Sequence, residues 1–220
     1  MLAAAHTTQL LRCVDDVLRE AGVALSDLNA LAATIGPGSF TGLRTGLATV
    51  KAFASALGIP IAPIPTLHAV ARAEGTSHTC VKALLPAGRN EVFAQSFSLA
   101  ESGTITELDA PRHISPQVLF DQSSAGDIFW VGDGARAYIG SLSERASKFG
   151  FQFRVMAEVT SLGSDLGGWR IASPPETPLA IAASLIALKL IEEGKLVSAE
   201  GLQALYVRLS DAEIKERLGK

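Results

Sequence analysis

Apolar residues recur near the start of the chain at the spacing of an amphipathic helix. Over residues 8–21 they fall on one stripe of the helix, and charged residues occupy the opposite side. The stripe consists of Leu10, Val14, Val17, Leu18 and Ala21. Thr7 is placed to cap this helix and Gly22 to end it. The pattern predicts a first helix with one face packed against a neighbour.

Short apolar runs alternate with helical patterns up to residue 74. The runs at residues 28–35 and 59–64 have the length and composition of short strands. The stretches at residues 40–57 and 66–74 have the length of helices, and glycine and proline follow the first of them. Because strands and helices alternate, this part of the chain is predicted to form a parallel α/β unit.

The second part of the chain has a different pattern. Strands are predicted at residues 80–85, 92–99 and 128–131, and a Thr-Pro pair then begins a helix at residues 179–193. The predicted parts are a first lobe of residues 1–77 joined by the helix at 178–194, a second lobe of residues 78–176, and a tail of residues 195–220. The predicted fold class is therefore α/β with two lobes.

Composition narrows the classes of function. Hydrophobic residues make up 48% of the 220 residues and charged residues 19%, so the chain can build a core and still leave apolar surface for a partner. A net charge of −3 provides no basic face for nucleic acid. The longest apolar run, at residues 179–188, is about half of the ~20 residues that a membrane helix needs. Since no basic export signal precedes the first helix, we expect a soluble, cytoplasmic protein.

Cysteines and histidines form no metal-binding or catalytic pattern. Cys13 and Cys80 have neither disulfide-framework nor zinc spacing, and both are expected to be buried thiols. The histidines show no i, i+4 pairing and no ligand spacing. They are His6, His68, His78 and His113. The Gly-Asp-Gly segment at residues 132–134 could hold a ligand at a strand end, but a tight turn is the favoured interpretation.

The most specific segment is the glycine-rich loop of residues 36–46, Gly-Pro-Gly-Ser-Phe-Thr-Gly-Leu-Arg-Thr-Gly. Such a loop at the start of a helix could cradle phosphate through free N–H groups. It lacks the Lys-Ser/Thr of a P-loop, the third glycine and the acidic residue of a dinucleotide site, and the glycines of a nucleophile elbow around Ser39. Phosphate binding is therefore the less favoured of two interpretations.

The favoured interpretation of this segment is close helix packing. Gly42 and Gly46 lie four residues apart on one face, and Thr49 and Ala52 continue the strip of small side chains. Small side chains let another helix approach the backbone closely. The helix carries two cations and is otherwise apolar all round, which indicates either a core helix or an interface.

The glycine-rich loop resembles the signature of the bacterial TsaB proteins. Residues 35–44, followed by Gly46-Leu47-Ala48 and Lys51, carry the likeness most specifically. Weaker likenesses, spread over nearly the whole chain, are Ile64-Pro65-Thr66-Leu67, Arg89-Asn90-Glu91-Val92-Phe93, Gly132-Asp133-Gly134 and Leu205-Tyr206-Val207-Arg208. The resemblance implies an actin-like, sugar-kinase-like fold of the ribonuclease H-like type, with two lobes.

The resemblance also implies a function. TsaB proteins are the dimerisation subunit of the complex that transfers a threonylcarbamoyl group to N6 of adenosine 37 in tRNA. This chain would then be a non-catalytic subunit that pairs with the catalytic paralogue TsaD through helices of its first lobe. The implied further partners are the ATPase TsaE, tRNA only through the complex, and a second copy of the chain when it is alone. No cofactor is implied for the chain by itself, and ATP or ADP would lie, if anywhere, at the interface of the complex.

The resemblance places a partner interface on the loop and the first two helices. The implied interface residues are Leu10, Val14, Gly36, Pro37, Gly38, Ser39, Phe40, Thr41, Gly42, Arg44, Gly46 and Thr49. No catalytic residue is implied. The paralogue carries metal-ligating histidines where this chain has Thr66 and Val70, so no metal site is expected.

The chain departs from the family pattern at its start. Proteins of this fold open with a strand pair and an Asp-Thr-Ser phosphate loop, and neither precedes the first helix here. We therefore expect a first lobe that is short of strands at its N-terminus. The alternative function is an enzyme of the same fold, either a metallopeptidase or a small-molecule kinase, which would require metal histidines or phosphate-loop carboxylates.

Overall fold

The structure is a computed structural model that describes residues 2–74, 77–124, 126–156, 168–174 and 178–207. The chain divides into two compact units. Unit 1 contains Met1–Pro65 and Ala183–Leu205, and unit 2 contains Thr66–Ala182 and Tyr206–Lys220. Within the described residues, no helix is long and apolar enough to cross a membrane.

Unit 1 is built on a parallel pair of strands. Helix α1 (Leu2–Ala21) leads through a short 3-10 turn to strand β1 (Leu31–Gly36), and helix α2 (Phe40–Leu57) connects it to strand β2 (Ile61–Pro65). The two strands pair in parallel, with Leu31 opposite Ile61. The predicted parallel α/β arrangement of this part of the chain is therefore confirmed.

The ends of α1 and α2 follow from local chemistry. Gly22 and Gly58 adopt positive φ values of 66° and 67° at the two C-terminal ends, as the sequence predicts. The capping role predicted for Thr7 is wrong, because α1 begins at Leu2 and Thr7 lies inside it. The alanines that precede it at residues 3–5 are strong helix formers, and they extend the helix toward the N-terminus.

The core of unit 1 joins the two strands to α2 and to the segment after residue 194. Its buried members are Leu47, Ala54, Ile61, Ala199 and Leu202. Two main-chain contacts hold that segment in place. Ile61 and Val197 exchange backbone hydrogen bonds of 2.9 Å, and the N–H of Leu205 donates to the carbonyl of Ile35 at 2.7 Å. Residues 195–205, predicted as part of a tail, thus pack within unit 1.

Unit 2 contains a mixed sheet with helices on both faces. Its helices are α3 (Thr66–Glu74), α4 (Pro116–Asp121), α5 (Asp133–Arg136) and α6 (Ile139–Lys148). Its strands are β3 (His78–Gly88), β4 (Glu91–Leu99), β5 (Ile105–Glu107), β6 (Arg112–Ile114), β7 (Asp127–Val131), β8 (Phe153–Met156) and β9 (Gly168–Ala172). The order along the sheet is β5-β4-β3-β7-β9-β8, and β6 also pairs with β4. Helix α7 (Leu179–Glu192) follows, and from Ala183 onward its residues belong to unit 1.

Alternate residues of the central strands feed two separate cores. In β7, Ile128 and Trp130 pack on one face, while Phe129 and Val131 pack on the other. This is the period of two that a strand buried on both faces requires. The second core also takes up Leu67 of α3, so the helix that the sequence places in the first lobe packs within unit 2.

The remaining predictions for this part have mixed outcomes. The strands predicted at residues 80–85, 92–99 and 128–131 are all present. The hairpin formed by β3 and β4 reverses direction at Arg89 and Asn90, which both have positive φ. The helix that begins at Leu179 is confirmed, whereas its predicted cap at residue 177 lies outside the described residues. So does the tail beyond residue 207.

Candidate protein interface

The glycine-rich loop packs closely against the main chain of unit 1 at Leu205. Gly36 has φ +116°, and a Cβ at this position would lie 2.7 Å from the carbonyl oxygen of Leu205. Only glycine fits such an approach. The peptide bond that joins Gly36 to Pro37 is cis, and both residues are buried. These two residues therefore shape the loop from inside the unit.

Ser39 begins helix α2. Its hydroxyl oxygen accepts a hydrogen bond from the N–H of Gly42 at 3.3 Å, the usual N-cap interaction. One of the free N–H groups at this helix end is thereby already used. Ser39 acts as a structural cap in this geometry.

Gly42 and Gly46 have no packing role within the described residues. A Cβ at Gly46 would meet nothing within 4 Å, and one at Gly42 would touch only Ser39 in its own turn, at 3.4 Å. Small side chains are therefore not needed here for contacts inside unit 1. Thr41, Arg44, Ala48 and Ala52 follow one another at steps of three or four residues and are exposed along one side of α2, whereas Gly42 is exposed on another side. We call Thr41, Arg44, Ala48 and Ala52 the α2 strip.

The polar groups near the α2 strip are satisfied locally. Thr49 Oγ1 donates to the carbonyl of Thr45 at 2.9 Å, one turn earlier. The Arg44 guanidinium carbon lies 3.9 Å from the centroid of the Phe40 ring, a cation–π contact. Phe40 is 39% exposed, so this pair lies at the surface.

Helix α1 lies against α2 and adds apolar surface. Leu10 and Val14 are half-buried, whereas Leu11 and Val17 are exposed, Val17 by 64%. Three charges of α1 pair with one another, because Arg19 contacts both Asp15 and Asp16. Exposed apolar side chains beside a strip of small residues are typical of a surface that another protein covers.

The structure brings the predicted interface residues together in unit 1, on one loop and two adjacent helices. Gly36 and Pro37 are buried, and the others are half-buried or exposed. Cys13 is exposed on α1, so its predicted burial is wrong. Although the apolar spacing of α1 is clear, the sequence does not show how much of the helix its neighbours cover.

Three histidines of unit 2 lie beside carboxylates. His68 Nε2 contacts Glu107 Oε1 at 2.7 Å, and His78 Nε2 lies 3.2 Å from Asp127 Oδ2. The third, His113, lies 3.0 Å from Glu91 without making a hydrogen bond. Each contact joins two elements of the unit. Among the described residues no three His, Cys, Asp or Glu side chains group as a metal site.

The position expected for a metal ligand in the paralogue is part of the core here. Val70 is 3% exposed and packs with Leu67 and Phe97. One of its methyl groups would lie 3.0 Å from a Cβ added at Gly132. Its side chain therefore fills space between α3 and the turn after β7.

Sequence reasoning missed a buried ion pair at that turn. Glu74, 5% exposed, accepts hydrogen bonds from Arg136 at 2.6 and 2.9 Å and from the N–H of Gly132 at 2.6 Å. The hydrogen bond to Glu74 raises the pKa of Arg136 above its ordinary value. Cβ atoms at Gly132 and Gly134 would lie 2.2 and 2.7 Å from the main chain of Leu84. Gly132 connects β7 to α5, and Asp133 and Gly134 begin that helix, so the Gly-Asp-Gly segment that the sequence favoured as a tight turn is the short connection into α5.

A second missed group contains a serine and a lysine. Lys82 Nζ donates to Ser96 Oγ at 3.0 Å, and Ser96 Oγ donates to Asp109 Oδ2 at 2.9 Å. A serine beside a lysine can be a nucleophile with its base. Here Ser96 is 6% exposed, and its main-chain N–H also donates a hydrogen bond to Asp109 Oδ1 at 2.7 Å. The arrangement therefore fastens the loop after β5 to β4.

Comparison with protein families matches residues 1–123 to the family described as "TsaD: tRNA N6-adenosine threonylcarbamoyltransferase". The tRNA threonylcarbamoyladenosine biosynthesis protein TsaB of Escherichia coli is 27% identical over 92% of this chain and 80% of its own length. The Haemophilus influenzae protein of the same name is 32% identical over 60% of each chain. A tRNA N6-adenosine threonylcarbamoyltransferase of Streptococcus pyogenes is 46% identical over 59 residues, which are 27% of this chain and 17% of that enzyme.

Solved structures show the same relationship. YeaZ from Pseudomonas aeruginosa superimposes with a TM-score of 0.68 at 27% identity, over 91% of this chain and 84% of that one. A second structure, described as similar to peptidase YEAZ from Pseudomonas aeruginosa, gives a TM-score of 0.69 over 92% and 84%. These likenesses confirm the predicted α/β, actin-like fold class and the predicted resemblance of the chain to TsaB proteins.

Proposed function

This chain belongs to the TsaD-related threonylcarbamoyltransferase family, within which its full-length likeness is to TsaB proteins, and we propose that it is a non-catalytic subunit in tRNA threonylcarbamoyladenosine biosynthesis. It docks on the catalytic paralogue TsaD through α1 and α2. The observation that carries the proposal is Gly46, a glycine with open space where its Cβ would be. A helix gains nothing from such a glycine, which costs about 0.5–1 kcal/mol relative to alanine, unless something else must approach it.

Three further observations support a protein partner on α1 and α2. The α2 strip carries a single charge, Arg44, and is otherwise composed of small side chains. Ser39 already holds the N–H of Gly42, which an anion would otherwise use. Apolar residues of α1, Leu11 and Val17, lie exposed on the helix that packs beside α2. A surface of this kind becomes stable when a second helix pair covers it.

The non-catalytic role is supported by two positions at which an enzyme of this fold could carry a metal ligand or a nucleophile. Val70 fills the core where the paralogue carries a metal ligand. Ser96 is buried, and its hydroxyl donates a hydrogen bond to Asp109. The catalytic transfer, the ATP or ADP site and the contact with tRNA then belong to the assembled complex, in which TsaE is the further partner.

A bulky substitution at Gly46 tests the proposal. Because a Cβ at Gly46 meets no atom of the described residues within 4 Å, Gly46→Leu should fold normally while blocking the close approach of a partner helix. We expect binding to TsaD from the same organism to weaken by about ten- to hundredfold, as overpacking of an interface does. Binding is measured by calorimetry, and formation of the modified nucleoside by reconstitution with TsaD, TsaE, ATP and tRNA.

The matched control is Gly140→Leu. Gly140 lies on α6 of unit 2, and a Cβ there also meets nothing within 4 Å. This variant should bind and support modification like the wild type. Wild-type binding by Gly46→Leu would show that the face is not the interface. A wild-type chain that neither binds TsaD nor supports modification would overturn the proposed function itself.

The second candidate function is that of an enzyme of the same fold, and it can be tested on the isolated chain. One solved relative is described through its similarity to a peptidase. Metal analysis of the purified chain, together with calorimetry against ADP and ATP, separates the two candidates. Stoichiometric metal, or tight nucleotide binding without a partner, would favour the enzyme.

A further inference from the structure

Arg44 is the one charged residue of the α2 strip, and it has no ion pair within the described residues. Its guanidinium carbon stacks on the Phe40 ring, 3.9 Å from the ring centroid. On the neighbouring helix α1, by contrast, Arg19 forms ion pairs with both Asp15 and Asp16. Arg19 is thus neutralised on its own helix, whereas Arg44 is not neutralised on α2.

The sequence explains why no local carboxylate reaches Arg44. Between Asp27 and Glu74 the chain contains no acidic residue, an interval that includes the loop, α2 and both strands of unit 1. The ring of Phe40 meanwhile holds the guanidinium in place, which reduces the conformational entropy that a further contact would cost. The free planar edge of a guanidinium suits a carboxylate, which it binds through two parallel hydrogen bonds.

This inference rests on the proposed function. If α2 is covered by TsaD, Arg44 leaves water with the rest of the α2 strip, and an unpaired guanidinium in an interface is costly. We propose that the partner presents a carboxylate to Arg44 at the first turn of α2, and that this ion pair selects the partner. The surface would then accept a helix pair that is small and apolar along its centre and acidic opposite Arg44.

The pairing has consequences that packing alone lacks. Charge complementarity raises the association rate and makes it dependent on ionic strength, whereas contacts among small side chains do neither. Reversal of the charge at Arg44 should therefore be worse than its removal. Lysine at the same position keeps the charge but loses the planar fork and the stacking geometry, so it should restore binding in part.

The experiment compares Arg44→Met, Arg44→Glu and Arg44→Lys for binding to TsaD by surface plasmon resonance at low and high salt. We expect the methionine variant to lose about tenfold in affinity and much of the salt dependence of the association rate, the glutamate variant to lose more, and the lysine variant to lie between methionine and the wild type. The control is Lys148→Met in unit 2, an exposed cation paired with Glu144, which should bind normally. Circular dichroism establishes that each variant is folded.

The inference is overturned, and the proposed interface left intact, if the methionine and glutamate variants bind TsaD with the same affinity and the same salt dependence as the wild type. Wild-type protein that binds no TsaD would overturn the proposed function and this inference with it. If Arg44→Glu instead abolishes self-association measured by light scattering and leaves TsaD binding unchanged, the carboxylate belongs to a second copy of the chain and the inference about TsaD is wrong.

Discussion

Glycines of this chain fall into two physical kinds. At Gly36, Gly132 and Gly134 a Cβ would lie within 2.7 Å of main-chain atoms, so the fold itself requires glycine. At Gly46 and Gly140, which have no positive φ, no described atom lies within 4 Å of an added Cβ. Sequence alone does not separate the two kinds, because both occur beside other glycines or small residues. The distance from an added Cβ, taken together with φ, separates them and indicates which glycines serve the fold.

Alanine substitution should act in opposite directions at the two kinds of position. Gly134→Ala forces a methyl group against the main chain of Leu84, and we expect the free energy of unfolding to fall by more than about 2 kcal/mol. Gly46→Ala removes backbone entropy from the unfolded chain and should raise it by about 0.5–1 kcal/mol. Urea unfolding followed by circular dichroism measures both. Equal effects would contradict the packing of the turn after β7.

The two thiols should differ in reactivity. Cys13 is exposed, whereas burial, with smaller effects from nearby charges, raises the pKa of Cys80 above its ordinary value of 9.0. In the native protein a thiol reagent at pH 8 should modify one cysteine quickly and the other only on unfolding. The fast reaction should disappear in Cys13→Ser and persist in Cys80→Ser. Two equally fast thiols would show that Cys80 is accessible.

The sign of the pH effect at Cys80 follows from the raised pKa. Below pH 9.0 the thiol is protonated in both the folded and unfolded states, and its contribution to stability is fully present. As the pH rises past that value, the unfolded chain loses its proton first, so the folded state loses stability. Cys80→Ser should weaken this alkaline loss, and Cys13→Ser should not.

At the scale of elements, local signals set the helices and long-range pairing sets the short strands. Helix α2 runs from Phe40 to Leu57 as predicted, because Ser39 and Gly58 fix its ends through contacts within one turn. Strands β5 and β6 have three residues each and exist only through pairing with β4. Three residues are too few to show an apolar period, so these two strands cannot be predicted from the sequence.

The ion pair between α3 and the turn after β7 is also an element-scale feature. Removing the charge in Glu74→Gln leaves the guanidinium of Arg136 buried with a weaker acceptor, and we expect a loss of about 3–5 kcal/mol in the free energy of unfolding. The double variant Glu74→Gln with Arg136→Met should lose less than the sum of the two single variants. Urea unfolding of the four proteins gives the coupling energy. Strict additivity would show that the two side chains do not support each other.

At the scale of the whole molecule, the chain returns to unit 1 after building unit 2. Leu202 and Ala199 enter the same core as Leu47, although about 150 residues separate them along the chain. The main chain at Leu205 then supports the loop at Gly36. The proposed interface therefore depends on residues from both ends of the described chain, which the sequence presented as a loop and an unrelated tail.

The sequence by itself determined the helices α1, α2, α3 and α7, the parallel pairing of unit 1 and the likeness of its glycine-rich loop to one family. These depend on residues that are neighbours along the chain, where periodicity and capping act directly. Tertiary structure alone decided which glycines are packed and which are open, that Cys13 is exposed, and that Glu74 meets Arg136. Such facts depend on distances between segments far apart in sequence, and burial, ion pairing and exposure arise only when those segments fold together.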